Sequence, residues 1–265
     1  MSIKKVVIIG LGEVGSSWFK VTSEGSNFDI IGIDLKGNKE RRIEDKVKGE
    51  TVLHVCTPFF DGFEEASSRY ISEYSPDLVV VNTSSRVGTT RSIYELANVE
   101  TVHIPVRGVH PDIDKGIKTF VNAIGPVNDL SAKLAGDYLD QLGITHETFH
   151  SPEETEMAKL LDTSYYGWNI LFTKQVFDLC EEYGLDFNNV YTRFNQTYNE
   201  GYAKLDKANV IRPVLVPPQQ FNKKLGVDNN HVNGHCVLTN LEILKTMKKS
   251  DKIRFIDYAL DLDKQ

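Results

Sequence analysis

The chain has 265 residues, 40% of them hydrophobic and 25% charged, the balance of an ordinary soluble globular protein. Its net charge of −7 argues against nucleic acid as the main partner, because a phosphate backbone needs a basic footprint. No apolar run reaches the length of a membrane span. Met1 leads through Lys4 and Lys5 straight into the first apolar run, leaving no room for a signal peptide. Cys56, Cys180 and Cys236 are odd in number and far apart, so they form no disulfide framework, and a reducing, cytoplasmic compartment is expected.

The first run, Val6-Val7-Ile8-Ile9, reads as a buried strand feeding Gly10-Leu11-Gly12-Glu13-Val14-Gly15 and then a helix. The glycine spacing is that of a dinucleotide pyrophosphate turn. One glycine makes the bend, one lets the backbone approach phosphate, and one lets helix and strand pack closely. The phosphates would meet free N–H groups and the positive end of the helix dipole. A second apolar run, Ile30-Ile31-Gly32-Ile33, ends at Asp34, where an acid would accept ribose hydroxyls. A carboxylate repels a 2′-phosphate, so NAD is expected ahead of NADP, although Lys36, Lys39, Arg41 and Arg42 follow closely.

Residues 37–50 are highly charged and read as an exposed helix or loop. Strands are expected at 51–56, 78–81, 99–105, 119–124 and 144–149, the fourth stopped by Gly125-Pro126 and the last at an edge. Helices are expected from about Asp61 to Tyr74, from Gly88-Thr89-Thr90 through Leu96, and over 129–142. Strands that are continuous apolar runs and alternate with helices imply a parallel sheet covered on both faces. Ligands in such folds bind at the carboxyl ends of the strands. Gly10 to Gly15, Thr57-Pro58 and Thr83 to Ser85 should therefore line one crevice.

The pattern changes at Ser151-Pro152-Glu153-Glu154, which reads as an N-cap, a first-turn proline and a capping-box glutamate. An apolar stripe from Met157 to Tyr183 then repeats at three and four residues and stops at Gly184. This helix, 152–183, would be the spine of a second domain and the face of a homodimer. Asp186 is expected to cap a further helix. Arg212 to Gln220 reads as non-helical, Asn222 to Gly226 as a short helix and Asp228 to Gly234 as a polar loop, with closing helices over 238–247 and 253–260. The expected architecture is α/β: a Rossmann-like, doubly wound, mostly parallel sheet over 1–150, followed by a smaller all-helical domain over 151–265.

The chain resembles the first two domains of the nucleotide-sugar 6-dehydrogenases, the UDP-glucose and GDP-mannose dehydrogenase family, within the 6-phosphogluconate dehydrogenase-like superfamily. Four segments carry the resemblance: Val55-Cys56-Thr57-Pro58, Asn82 to Thr90 (NTSSRVGTT), Glu156-Met157-Ala158-Lys159-Leu160, and Gly234-His235-Cys236. It implies an NAD-dependent oxidoreductase acting on an alcohol, with Cys236 as nucleophile and Lys159 offsetting oxyanion charge. Asn240 stands where the family has aspartate after the cysteine, and Thr163 where it has asparagine after the lysine. A single two-electron oxidation or reduction of a small-molecule substrate is therefore the expectation.

Two other readings stay open. Arg107-Gly108-Val109-His110-Pro111 is similar to a prephenate dehydrogenase segment in which a histidine, here His110, assists oxidation of a ring hydroxyl. The residues at 163 and 240 would also suit a dinucleotide-binding sensor without catalysis. His231 and His235 beside Cys236 have no recognised metal spacing, and no metal is expected. Cys56 and Cys180 read as core.

Overall fold

Val6-Val7-Ile8-Ile9 runs through the middle of the sheet in the computed structural model, which describes residues 3–35, 37, 39–41, 50–108, 111–216 and 235–262. The strands are β1 (Ile3–Ile9), β2 (Asp29–Ile33), β3 (Lys39–Arg41), β4 (Glu50–Val55), β5 (Leu78–Val81), β6 (Thr101–His103), β7 (Asn122–Pro126) and β8 (His146–Thr148). Their order in the sheet is β3-β2-β1-β4-β5-β6-β7-β8. From β2 to β6 all pairings are parallel, while β3 joins β2 and β7 joins β6 antiparallel. β8 lies parallel to β7 at the edge.

Alternation along each strand sends side chains to two apolar layers. Val6, Ile8, Ile30, Val52, Val80 and Val102 face α1 (Glu13–Gly25), α4 (Ile113–Thr119) and α5 (Asp129–Gln141), meeting Trp18, Ile117 and Tyr138. Val7, Ile9, Leu53, Val55, Val79 and Val81 face α2 (Phe63–Tyr74) and α3 (Thr89–Ala97), meeting Phe63, Ile71 and Ile93. This is the doubly wound, mostly parallel arrangement expected. The chain leaves β2 and β3 on one side of β1 and returns to β4 on the other. The switch point of the topology thus lies at the carboxyl ends of β1 and β4, where such folds take ligands.

Two local expectations are corrected. Within 37–50, Lys39–Arg41 is a strand, made by pairing with β2 rather than by any periodicity of its own. The rest of that charged segment from 42 to 49 lies outside the described residues. The strand expected at 119–124 begins later: Ile113–Thr119 is α4, with Ile113, Gly116 and Ile117 buried at helical spacing. Phe120 and Val121, which look like strand core, are exposed. Asn122 Nδ2 donates to Ile117 O at 2.8 Å and Phe120 O at 3.0 Å, ending the helix and starting β7. Pro126 belongs to that strand and pairs with Val102 instead of stopping it earlier.

The chain divides into two compact units, Met1–Lys159 and Leu160–Gln265. The long helix α6 (Pro152–Glu182) begins in the first and continues in the second. Glu154 accepts from His150 N–H at 3.1 Å at its start. At its end Leu185 N–H reaches Cys180 O at 2.8 Å and Gly184 N–H reaches Glu181 O at 3.1 Å, with Gly184 at φ +64, a Schellman stop. Among the described residues the regular elements of the second unit are all helical. After α6 come a π-helical turn at Asn188–Arg193, α7 (Phe194–Lys204), a 3-10 turn at Ala208–Val210, α8 (His235–Met247) and α9 (Phe255–Leu262). Asp186 Oδ1 accepts from Asn189 N–H at 2.8 Å and so caps the π-helical turn. Cys180, Phe187 and Tyr191 form a small core there, and Trp168 stacks on Tyr258 with centroids 5.8 Å apart. Residues 217–234, including the expected helix at 222–226 and the polar loop before Cys236, lie outside the described residues.

Among the described residues no helix is long and apolar enough to cross a membrane.

Candidate dinucleotide site

Each glycine of the first turn has its own geometry. Gly10 leaves β1 at φ +86, and its N–H donates to Ile33 O at 2.8 Å. A Cβ there would sit 3.0 Å from Thr57 N and Cγ2. At Gly15 a Cβ would stand 1.8 Å from Gly10 O, so α1 crosses the end of β1 at a distance only glycine permits. Around Gly12, by contrast, a Cβ would meet nothing within 4 Å. Gly12 is the N-cap of α1 and brings no side-chain acceptor to the first turn. The turn is closed from below by Ser16 Oγ donating to Leu11 O at 2.7 Å. Open space over an uncapped helix N-terminus fits a pyrophosphate.

Asp34, at the carboxyl end of β2, accepts Leu11 N–H on Oδ2 at 2.7 Å. This bond holds the carboxylate beside the glycine turn. Glu13 is exposed in the first turn of α1, where its charge complements the dipole, and Val14 packs against the core below. Thr57 is half-buried and Pro58 exposed just past β4. The Thr83 hydroxyl, just past β5, donates to Thr57 O at 2.7 Å and lies 3.3 Å from Val55 O, so the two strand-end loops are tied together. Ser84 beside it is half-buried. Gly10, Gly12, Gly15, Asp34, Thr57 and Thr83 thus gather at one end of the sheet.

Beneath this crevice lies a polar network that sequence reasoning missed. His54 is fully buried; its Nδ1 meets Asn82 Oδ1 at 2.8 Å and its Nε2 meets Tyr138 OH at 2.9 Å. Asn82 Nδ2 donates to Ile104 O at 2.8 Å. Burial pushes the His54 imidazole down to about 4, against the opposing effect of Asn82, so it stays neutral. Cys56 is partly buried against the core; its Sγ lies 3.4 Å from Asn82 Oδ1, and desolvation pushes its thiol well above the ordinary range. His54 sits inside an apolar strand run and shows no signal of its partners, which are 28 and 84 residues away.

The first turns of α6 add a second polar cluster within the same unit. His103 Nδ1 lies 2.8 Å from Thr155 Oγ1, whose own proton goes to Pro152 O at 3.0 Å, so His103 is the donor. Its imidazole is lowered to about 3, first by burial and further by the Lys159 charge. Lys159 is half-buried, and its Nζ donates to Val106 O at 2.9 Å. Arg91 grips Glu153 with two bonds at 2.5 and 3.1 Å, and this pairing holds the Glu153 carboxyl at about 2.

In the second unit Cys236 is exposed in the first turn of α8. Asn240 follows one turn later and is buried, with Nδ2 lacking a hydrogen-bond partner. Thr163 is half-buried on α6, one turn beyond Lys159. His110, Gly234 and His231 lie outside the described residues. Among the described residues no group of three or more His, Cys, Asp or Glu is placed to hold a metal.

No family model matches the chain. Over 305 aligned positions it is 22% identical to the UDP-N-acetyl-D-mannosamine dehydrogenase of Methanococcus maripaludis, covering 98% of this chain and 65% of that protein. The fold is shared with UDP-D-ManNAc dehydrogenase from Pyrococcus horikoshii at 17% identity and TM-score 0.73, over 98% of this chain and 68% of that one. It is also shared with the 3-hydroxyisobutyrate dehydrogenase of Mycobacterium tuberculosis at 15% identity and TM-score 0.65, over 98% of this chain and 92% of that one. The chain therefore spans less than two thirds of the length of the curated relatives it matches. In sequence the chain is similar to UDP-N-acetyl-D-mannosamine dehydrogenases, and its fold is one that dehydrogenases of different substrates share.

Proposed function

We propose that this protein is an NAD-linked dehydrogenase that oxidises an alcohol on a small-molecule substrate by one two-electron transfer. The observation that carries the reading is the contrast between Gly12, open above an uncapped helix, and Gly15, closed against Gly10 O, with Asp34 held alongside. A bound nicotinamide dinucleotide supplies a hydride acceptor. Gly12 and the first turn of α1 would hold its pyrophosphate on backbone N–H groups, and Asp34 would take the ribose hydroxyls and repel a 2′-phosphate, which favours NAD over NADP. Thr57, Pro58, Thr83 and Ser84 would line the crevice. The Lys159 ammonium offsets negative charge developing on the substrate oxygen. Cys236, exposed at the start of α8, is the nucleophile implied by likeness to the nucleotide-sugar dehydrogenases: its sulfur would add to the carbonyl carbon of the product while the thiol proton passes to the carbonyl oxygen, and the same bond breaks again to release product and thiol.

The working form is proposed to be a homodimer. Leu161, Tyr165, Phe172 and Leu179 are exposed apolar residues on α6, with exposed Tyr183 just past its end, and the spacings of four and seven along the helix place its four on one face.

The test is a screen of nucleotide sugars and hydroxy acids for NADH formation, run on the wild type, Cys236→Ala and His110→Ala. The expected result is turnover of a nucleotide sugar or hydroxy acid that Cys236→Ala cuts by about a hundredfold or more. Full activity in Cys236→Ala with none in His110→Ala would give the reaction to His110. NADH binding without turnover on the whole panel would mark a sensor.

A further inference from the structure

Helix α3 begins without a cap of its own. Its N-cap is Gly88, which offers no side chain, and the first N–H groups of a helix are orphan donors unless an acceptor reaches them. Here the acceptor comes from 68 residues away. Glu156 Oε2 takes Gly88 N–H at 2.6 Å, and Oε1 takes Thr90 N–H at 2.8 Å. Glu156 is 1% exposed. Charge-assisted bonds and the helix dipole favour the carboxylate there, while burial works against it and pushes its pKa up, with the nearby Glu153 acting in the same sense.

The cap joins two parts of the site. On one side, α3 continues the turn from Asn82 to Gly88, whose Thr83 hydroxyl holds Thr57 O. On the other, Glu156 shares a helical turn with Lys159, whose ammonium is tied to Val106 O. We infer that Glu156 is a positioning residue: by capping α3 from α6, it holds the Thr83–Gly88 turn of the dinucleotide crevice in register with the helical turn that presents Lys159. This rests on the dinucleotide reading above. The charged and titratable groups around Glu156 are Glu153 and Lys159 on its own helix, Arg91 on α3 and the neutral His103 on β6.

Proton uptake by Glu156 turns one acceptor oxygen into a hydroxyl and breaks one of the two capping bonds. NADH affinity should therefore weaken as pH falls. Stability linked to the same group should move the other way. A carboxyl whose folded pKa is raised above its unfolded value gives stability that is full at low pH and lost as pH rises through the folded value. A merely structural cap would make affinity and stability change together.

The experiment measures NADH affinity by fluorescence and melting temperature between about pH 5 and about pH 8, for the wild type, Glu156→Gln, Glu156→Asp and Glu153→Gln. Glu156→Gln should bind about five- to tenfold more weakly at neutral pH and lose the pH dependence. Glu156→Asp, which keeps the charge on a shorter arm, should lie between the two and keep the pH dependence. Glu153→Gln removes another contact between α3 and α6 and should lose melting temperature but not affinity. Wild-type affinity and pH dependence in Glu156→Gln would overturn the inference. So would affinity losses that simply track melting temperature in all variants. If the wild type binds no NADH at all, the dinucleotide reading falls first and this inference with it.

Discussion

The three glycines of the first turn share a residue type but not a function, and single substitutions should separate them. Gly15→Ala would drive a methyl group into Gly10 O at 1.8 Å, backbone against backbone. It should destabilise the protein by about 2 kcal/mol or more, as overpacking without an outlet does, and lower NADH binding with it. Gly12→Ala meets nothing within 4 Å. It should leave the melting temperature within about 2 °C while weakening NADH binding, because its methyl group enters the space proposed for phosphate. Thermal melts paired with NADH titrations check both. Equal affinity in Gly12→Ala and the wild type would remove the pyrophosphate from this turn.

Helix α6 joins different environments along its length. Its first turns are polar toward the sheet unit, through Thr155, Glu156 and Lys159. Its later turns carry exposed Tyr165, Phe172 and Leu179 at intervals of seven residues. That spacing keeps one apolar seam in line on a helix, and an exposed seam is the kind of surface that a second copy covers. Light scattering should give about 60 kDa, twice the 29.9 kDa chain. The double substitution Phe172→Glu with Leu179→Glu should give about 30 kDa with the far-ultraviolet spectrum unchanged. A wild type that is already monomeric at micromolar concentration would rule out the dimer through this helix.

The molecule as a whole should be acid-labile. His54 and His103 are fully buried and titrate at about 4 and about 3, against 6.5 for an ordinary imidazole. The unfolded chain therefore takes up protons first as pH falls. Stability carried by each group is complete above about pH 6.5 and is lost as pH drops through its folded value, at up to about 1.4 kcal/mol per pH unit for each. Glu153, held at about 2 by Arg91, adds a loss of the same sign at lower pH. Glu156, with its pKa raised, opposes them. Urea midpoints should fall steadily from about pH 6.5 to about pH 4. In His54→Gln, which cannot take up that proton, the slope should be shallower by up to about 3 kcal/mol across the range, although the variant is less stable at neutral pH. Equal slopes would clear His54 of the effect.

The amino-acid sequence by itself determined the α/β class, the alternation of strands and helices, the glycine turn before α1 with an acid after β2, and the extent of the long helix. These features are written in short-range terms: apolar period, glycine spacing and capping residues within a few positions of one another. Tertiary structure alone decided the rest. Lys39–Arg41 became a strand because β2 offered an edge to pair with. The apolar look of Phe120 and Val121 gave way to α4, since the burial of Ile113 and Ile117 outweighed strand propensity. The partners of His54, His103 and Glu156 stand 28 to 84 residues away. A buried polar group must find its partner wherever the fold brings one, and local sequence carries no record of where that is.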